Sequence, residues 1–429
     1  MSGRPSPAIK GERAAPASQG DVPMDDDHPP TEYTAQAASP IVNGEVRLTI
    51  GENAFTAAAL FDTAEVPFVG VRSIEFADYT VIVRADGGDY AFSRMGSWAQ
   101  PFFDALCNAY SAAVLRAFFV SGEPLLSPVG DYRFTEGGVA VSGPKAPIRV
   151  YDGCIVALPP NADARRIPLC FVNGMEKGGY GLTLRLGTGE EYTFSKLGYG
   201  ADPFAEAVEK QIRALRERSA AAARDIDPSL SPAQASQIAK IMPEGAAAPM
   251  GRLAEAAPSF AAAVEAKIAQ TRAADSYGAF KDLCGPGRVW VGLKKNIPGR
   301  EPAADGEQPD PYLIWMIAPS PDGRHLAVEF AVKQGESAAT FVYRVEGDVQ
   351  RSAADLNRAL EAIGFRREAI RLTDEELAAP GNEDYLMAAK RTASLRHVRS
   401  CFVGRAVHSS PESWRRKLEE LWGGPAPPG

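Results

Sequence analysis

Residues 66–96 read VPFVGVRSIEFADYTVIVRADGGDYAFSRMG, and residues 167–198 read IPLCFVNGMEKGGYGLTLRLGTGEEYTFSKLG. Laid side by side they are two copies of one pattern. At an offset of 101, Pro67 matches Pro168, Glu75 matches Glu176, Tyr79 matches Tyr180 and Arg84 matches Arg185. After one extra residue in the turn at Gly187–Glu190 the offset becomes 102, and Tyr90, Phe92, Ser93, Gly96 and Pro101 match Tyr192, Phe194, Ser195, Gly198 and Pro203. Glycines, prolines and aromatics in register mark an internal repeat.

Each copy carries the same local logic. Val81 and Val83, then Tyr90 and Phe92, alternate with polar residues, as do Leu182, Leu184, Tyr192 and Phe194. Alternation on both sides of a glycine-containing turn predicts an antiparallel hairpin. A helix follows, because Pro101 and Pro203 suit a first turn where no backbone donor is lost, and Asp202 suits a cap. Phe102, Leu106, Tyr110 and Ala113 recur at helical spacing, as do Phe204, Val208, Ile212 and Leu215, so each helix buries one stripe. Upstream strands are expected at Val46–Ile50 and Ala54–Phe61 in the first copy. In the second they are expected at Tyr132–Phe134, Val139–Ser142, Ile148–Tyr151 and Cys154–Leu158.

Working outward, residues 1–42 are rich in proline, carry the acidic triplet Asp25-Asp26-Asp27 and show no apolar period, which predicts a disordered tail. Residues 43–120 form module 1 and 121–219 module 2. Residues 220–276 are alanine-rich and punctuated by Pro228, Pro232, Pro243, Pro249 and Pro258, which predicts short helices, such as Ala233–Met242 and Ser259–Arg272, acting as a spacer or helical hairpin. In 277–429, strands at Val289–Leu293, Tyr312–Ala318, Leu326–Val332 and Thr340–Val345 precede helices at Ala353–Ile363, Asp374–Leu377, Asp384–Arg396 and Pro411–Trp422. That is an α+β module, and the whole chain is α+β.

A strand-rich unit sealed by one terminal helix and present twice in tandem resembles the pleckstrin-homology-like superfold, including its bacterial and GRAM-type members. The segments Tyr79–Phe118 and Tyr180–Leu215 carry the resemblance. It implies two small antiparallel barrels, each closed by its C-terminal helix, and a binding module for phosphoinositides, peptides or protein surfaces rather than a catalyst. The first copy shows fewer strands than the seven the family uses.

The 429 residues carry 46 Lys and Arg against 54 Asp and Glu, a formal charge of -8, which argues against broad binding to nucleic acid or an anionic membrane. The resemblance directs attention to cations near the first strand loops: Lys145, Arg149, Arg165 and Arg166 are the candidate anion site. Against it stands the balance over 131–218, twelve Lys and Arg to eleven Asp and Glu. Other basic clusters are Lys294, Lys295 and Arg300, and a set from Lys390 to Lys417 whose apolar neighbours suggest a solvated helix face.

Five cysteines without a C-x-x-C pair and four histidines encode neither a disulfide framework nor a structural zinc site. Cys401 lies four residues after His397, with His408 and Ser409-Ser410 nearby, the minimum for nucleophilic catalysis, although Val398, Phe402 and Val403 suggest burial. The start of the chain lacks the apolar run of a signal peptide, and Phe102–Val120 carries Asp104, Asn108 and Arg116, so a cytoplasmic protein with reduced thiols is expected. The expected function is non-enzymatic recognition of a protein or peptide partner, with no cofactor and no nucleic acid. The alternatives are membrane-surface binding through module 2 and an enzyme around His397, Cys401 and His408.

Overall fold

A computed structural model describes residues 32–178, 180–271, 273–295, 312–331, 339–366, 370 and 372–423. The repeat seen in the sequence is a repeat of structure. Module 1 has seven strands, β1 (Glu32–Ala38), β2 (Asn43–Ile50), β3 (Ala54–Ala58), β4 (Thr63–Pro67), β5 (Val71–Ala77), β6 (Thr80–Ala85) and β7 (Gly88–Ser93), then helix α1 (Ala99–Ala117). Module 2 has β8 (Val129–Glu136), β9 (Val139–Tyr151), β10 (Cys154–Ala157), β11 (Arg165–Pro168), β12 (Val172–Gly178), β13 (Gly181–Leu186) and β14 (Glu191–Ser195), then α2 (Ala201–Ile226). The strand orders, β4-β3-β2-β1-β7-β6-β5 and β11-β10-β9-β8-β14-β13-β12, are the same arrangement, antiparallel throughout.

The likeness extends to backbone detail. Both copies place a 3₁₀ turn before the fifth strand, at Phe68–Gly70 and Leu169–Phe171. Both break register after its first residue, between Val71 and Ser73 and between Val172 and Gly174. Tyr79 and Tyr180 share the left-handed conformation, at φ 56° and 59°, as do Arg94 and Lys196 at 57° and 53°. An apolar stripe on each helix seals the sheet above it: Phe102, Leu106 and Tyr110 in α1, Phe204, Val208 and Ile212 in α2. Phe92 meets Phe102 edge to face, and Phe194 meets Phe204 in the same way.

Two expectations are corrected here. The first copy is not short of strands, since it has the same seven as the second. The missing one, β1, begins inside the segment assigned to the disordered tail. Its inward residues are Tyr33, Ala35 and Ala37, and alanine contributes too little hydrophobic contrast for the alternation to register, although β1 is the central strand between β2 and β7. Residues 1–31 of that tail lie outside the described residues.

The third unit is a six-stranded antiparallel sheet in the order β15 (Ala247–Pro249), β16 (Trp290–Lys295), β17 (Tyr312–Pro319), β18 (His325–Ala331), β19 (Ala339–Arg344), β20 (Phe402–Val407). Helices cover both faces. On one lie α3 (Pro232–Ile241), α4 (Met250–Ala256), α5 (Pro258–Ile268), α6 (Ala274–Cys284) and, further along the chain, Pro411–Gly423, around Leu253, Phe260, Phe280, Met316 and Trp414. On the other lie α7 (Val349–Ala362), α8 (Asp374–Leu377), α9 (Glu383–Arg391) and α10 (Ala393–Ser400), around Trp315, Phe341, Leu356 and Leu395; Pro411–Gly423 is α11. The alanine-rich stretch expected to be a spacer therefore packs as one face of this unit and supplies its edge strand β15. Alanine lets these helices lie close to the sheet and to one another. At Gly292 in β16 an added Cβ would stand 2.2 Å from the Trp315 ring, so the absence of a side chain there makes room for the indole.

The three units share their cores. Tyr151, Cys154, Val156, Leu158 and Ala164 of module 2 and Met387 of α9 belong to the apolar cluster of module 1. The first half of α2 closes module 2, while Ala223 and Ile226 at its far end are buried in the third unit.

Candidate functional site

Neighbouring carboxylates and carbonyls already occupy much of the proposed anion site. Arg165 pairs with Glu136 at 2.9 Å and donates to the carbonyls of Ala162 and Ala164. Arg166 is buried against Glu361, at 2.9 Å to its carboxylate and 2.8 Å to its carbonyl oxygen, and Lys294 reaches the other carboxylate oxygen at 2.5 Å. Lys145 projects from a bend of β9, where its backbone N–H donates to Asp131, and Arg149 lies half-buried on the same strand. The fold brings Arg165 and Arg166 together only as adjacent residues of β11, and each is turned to a different carboxylate.

Three members of the basic set of the third unit are likewise engaged. Lys390 bridges to Asp86 at 2.8 Å, Arg391 is buried and donates to the Val71 carbonyl at 2.7 Å, and Arg399 pairs with Asp374 at 2.7 Å. Arg300 lies outside the described residues.

A cleft of about 530 Å³ opens where α2, module 2 and the third unit meet. Its four cations, Arg166, Arg218, Lys294 and Lys295, face four carboxylates, Asp152, Asp225, Glu244 and Glu361. Arg218 pairs with both Asp152 and Glu244, and the Tyr312 hydroxyl donates to Asp225 at 2.6 Å. Burial would raise Glu361, but Lys294 and Arg166 overcome it and hold the carboxyl down at about 2. Burial pushes the thiols of Cys154 and Cys170 on the cleft wall up. They are poor nucleophiles in this setting.

The two candidate histidines, His397 and His408, occupy separate settings. His397 and Cys401, one helical turn apart on α10 and its C-cap, stand 4.0 Å from imidazole Nε2 to thiol Sγ. Glu346, just beyond β19, and Asp355 of α7 join them, each with a carboxylate oxygen 3.9 Å from the ring. Burial pushes the Cys401 thiol up. His408 is elsewhere, past β20, with Nε2 at 3.0 Å from Glu329 and its ring stacked on Trp414. Glu329 is only 2% exposed and accepts from Thr340, whose hydroxyl in turn accepts from the Trp414 indole N–H at 2.8 Å. This network joins β18, β19 and α11 from the inside. Glu346, Asp355 and Glu329 lie 42 to 79 residues from their histidine partners, beyond the reach of any spacing motif.

The repeated modules differ at the outer edge of the fifth strand. In module 1 a segment of module 2 has been added to β5. The Ile74 N–H donates to the Pro160 carbonyl at 2.8 Å, the Ala162 N–H donates to the Arg72 carbonyl at 2.9 Å, and Ser73 and Asn161 form an antiparallel bridge. The Tyr110 hydroxyl clamps the segment by donating to the Asn161 carbonyl at 2.7 Å. In module 2 the equivalent strand β12 pairs with β13 on one side, and among the described residues no strand lies on its other side. Asn173, Glu176, Lys177 and Gly178 are exposed, Tyr180 after β12 is 84% exposed, and Tyr199 in the 3₁₀ turn before α2 is fully so.

No known family model matches the chain, and no curated protein is similar to it in sequence. Among the described residues, no helix is long and apolar enough to cross a membrane.

Proposed function

We propose that this chain is a non-enzymatic, cytoplasmic interaction protein built on two pleckstrin-homology-like modules, and that it binds an extended segment of a partner protein along β12. The observation that carries the reading is the occupied edge of β5. There the chain's own Pro160–Ala162 makes the backbone pairing that a bound peptide would make, and among the described residues no strand covers the same edge in the second copy. The shared strand order and closing helix support the superfold assignment. Strand addition draws its affinity from main-chain hydrogen bonds and its selectivity from alternate side chains. The Met175 N–H and Asn173 carbonyl are the counterparts of the atoms that hold Pro160 and Ala162. Glu176 and Lys177 place charge on the edge, which discourages indiscriminate pairing between copies of the protein. The exposed ring of Tyr180, in the turn after β12, offers aromatic surface at the strand's end, the kind of residue that anchors interfaces.

The lipid alternative draws no support from Arg165 and Arg166, whose guanidinium groups already meet carboxylates.

Selection of displayed peptides against the full chain tests the proposal. Enriched peptides are expected to lose at least about tenfold in affinity with Met175→Pro, which removes the outward donor at an edge position that tolerates proline. Arg94→Ala on module 1 should leave binding unchanged. Failure to enrich any peptide, or enrichment indifferent to Met175→Pro in a variant that melts like the parent, would overturn it.

A further inference from the structure

Independent of the peptide edge, the group around His397 has the composition of a metal site. We propose that Glu346, His397 and Cys401 bind a zinc ion, with the fourth position left to water.

Donor atoms of these three residues lie within 4.8 Å of one another. Imidazole Nδ1 is 3.9 Å from the Glu346 carboxylate, too long for an N–H···O hydrogen bond, and we assign it as the nitrogen donor. Zinc bonds of about 2.0–2.3 Å in a tetrahedron set neighbouring ligand atoms about 3.3–3.8 Å apart. Contraction by a few tenths of an ångström up to about one therefore converts the observed spacing into a coordination shell. A thiolate, an imidazole and a carboxylate together suit zinc, whereas magnesium and calcium prefer all-oxygen sets.

The three donors are also held in place. His397 and Cys401 share one face of α10. The Arg344 N–H donates to the Cys401 carbonyl at 2.7 Å, tying the end of β19 to the end of the helix two residues before Glu346. The Glu346 backbone is fastened on both sides to the Ser352 hydroxyl. Asp355, gripped by Arg351 at 3.1 Å, stands 3.9 Å from imidazole Nε2, the nitrogen opposite the one that faces Glu346, and so lies outside the ligand set when the ion sits on Nδ1. Cys401 is buried, whereas His397 and Glu346 are partly open to solvent, which gives the ion a path of entry. On binding, the Cys401 thiol gives up its proton to solvent and its sulfur takes up the metal bond.

Cobalt(II) titration of the chelator-stripped full chain reads the site directly, because a thiolate ligand produces a charge-transfer absorption that carboxylates and imidazoles do not. One equivalent of cobalt is expected to bind, zinc to displace it, and the zinc-loaded protein to melt several degrees higher. Cys401→Ser should abolish the absorption, while Cys284→Ser should leave it intact. Glu346→Gln changes a surface side chain without threatening the fold, and is expected to weaken uptake at least tenfold. Absence of stoichiometric uptake, uptake that survives Cys401→Ser, or unchanged affinity in Glu346→Gln would each overturn the assignment.

Discussion

Glu361 shows how much a single residue can hold together. Its carboxylate receives Arg166 of module 2 and Lys294 of β16, and its own helix belongs to the third unit, so one buried group ties three elements. Removing the charge strands two cations in a buried setting, and breaking such a pair costs about 3–5 kcal/mol. Glu361→Gln is accordingly expected to lower the denaturant midpoint sharply, read by fluorescence from the five tryptophans. Acid has the same effect reversibly. A carboxyl held at about 2 in the folded chain stabilises it above the pH where a free glutamate titrates, ~4.3, and that contribution is lost as pH falls from there toward about 2. The parent should therefore lose stability over that range more steeply than Glu361→Gln does. The sequence displays charges without their partners, which is why Arg165 and Arg166 read as candidates for an external anion. Glu136 lies 29 residues upstream of the first, and Glu361 lies 195 residues downstream of the second.

At the scale of elements, the legible parts were those with strong contrast. The hairpins of Val81–Phe92 and Leu182–Phe194 alternate large apolar with polar residues, and the helices that follow repeat large side chains every three or four positions. Strand β1 with its alanines, and the helices between Ala220 and Asp275, lack that contrast, and their roles come from what they pack against. Phe102 and Phe204 occupy the same place in the two copies, each fully buried and edge-on to a phenylalanine of the last strand. Truncation of either to alanine is expected to cost about 3–5 kcal/mol, measured by urea unfolding. Near-equal losses would follow from equivalent closing helices; a loss in only one would mean that the two helices differ in role.

The molecule as a whole is not three beads on a string. Module 2 contributes side chains to the core of module 1, α9 packs on α1, and α2 enters two cores in succession. Thermal unfolding is therefore expected as a single cooperative transition by calorimetry, and a chain ending at Ile226 should expose Ala223 and Ile226 and aggregate. Two resolved transitions, or a soluble folded fragment, would contradict this. None of this docking was visible in the sequence, because surface residues of one unit become interior residues of another only when the units meet. The 26-residue α2 spans about 39 Å at 1.5 Å per residue, with its first turns rooted in one hydrophobic interior and its last in another. Such a beam behaves as a lever: a tilt near Phe204 reappears, transposed, around Ile226.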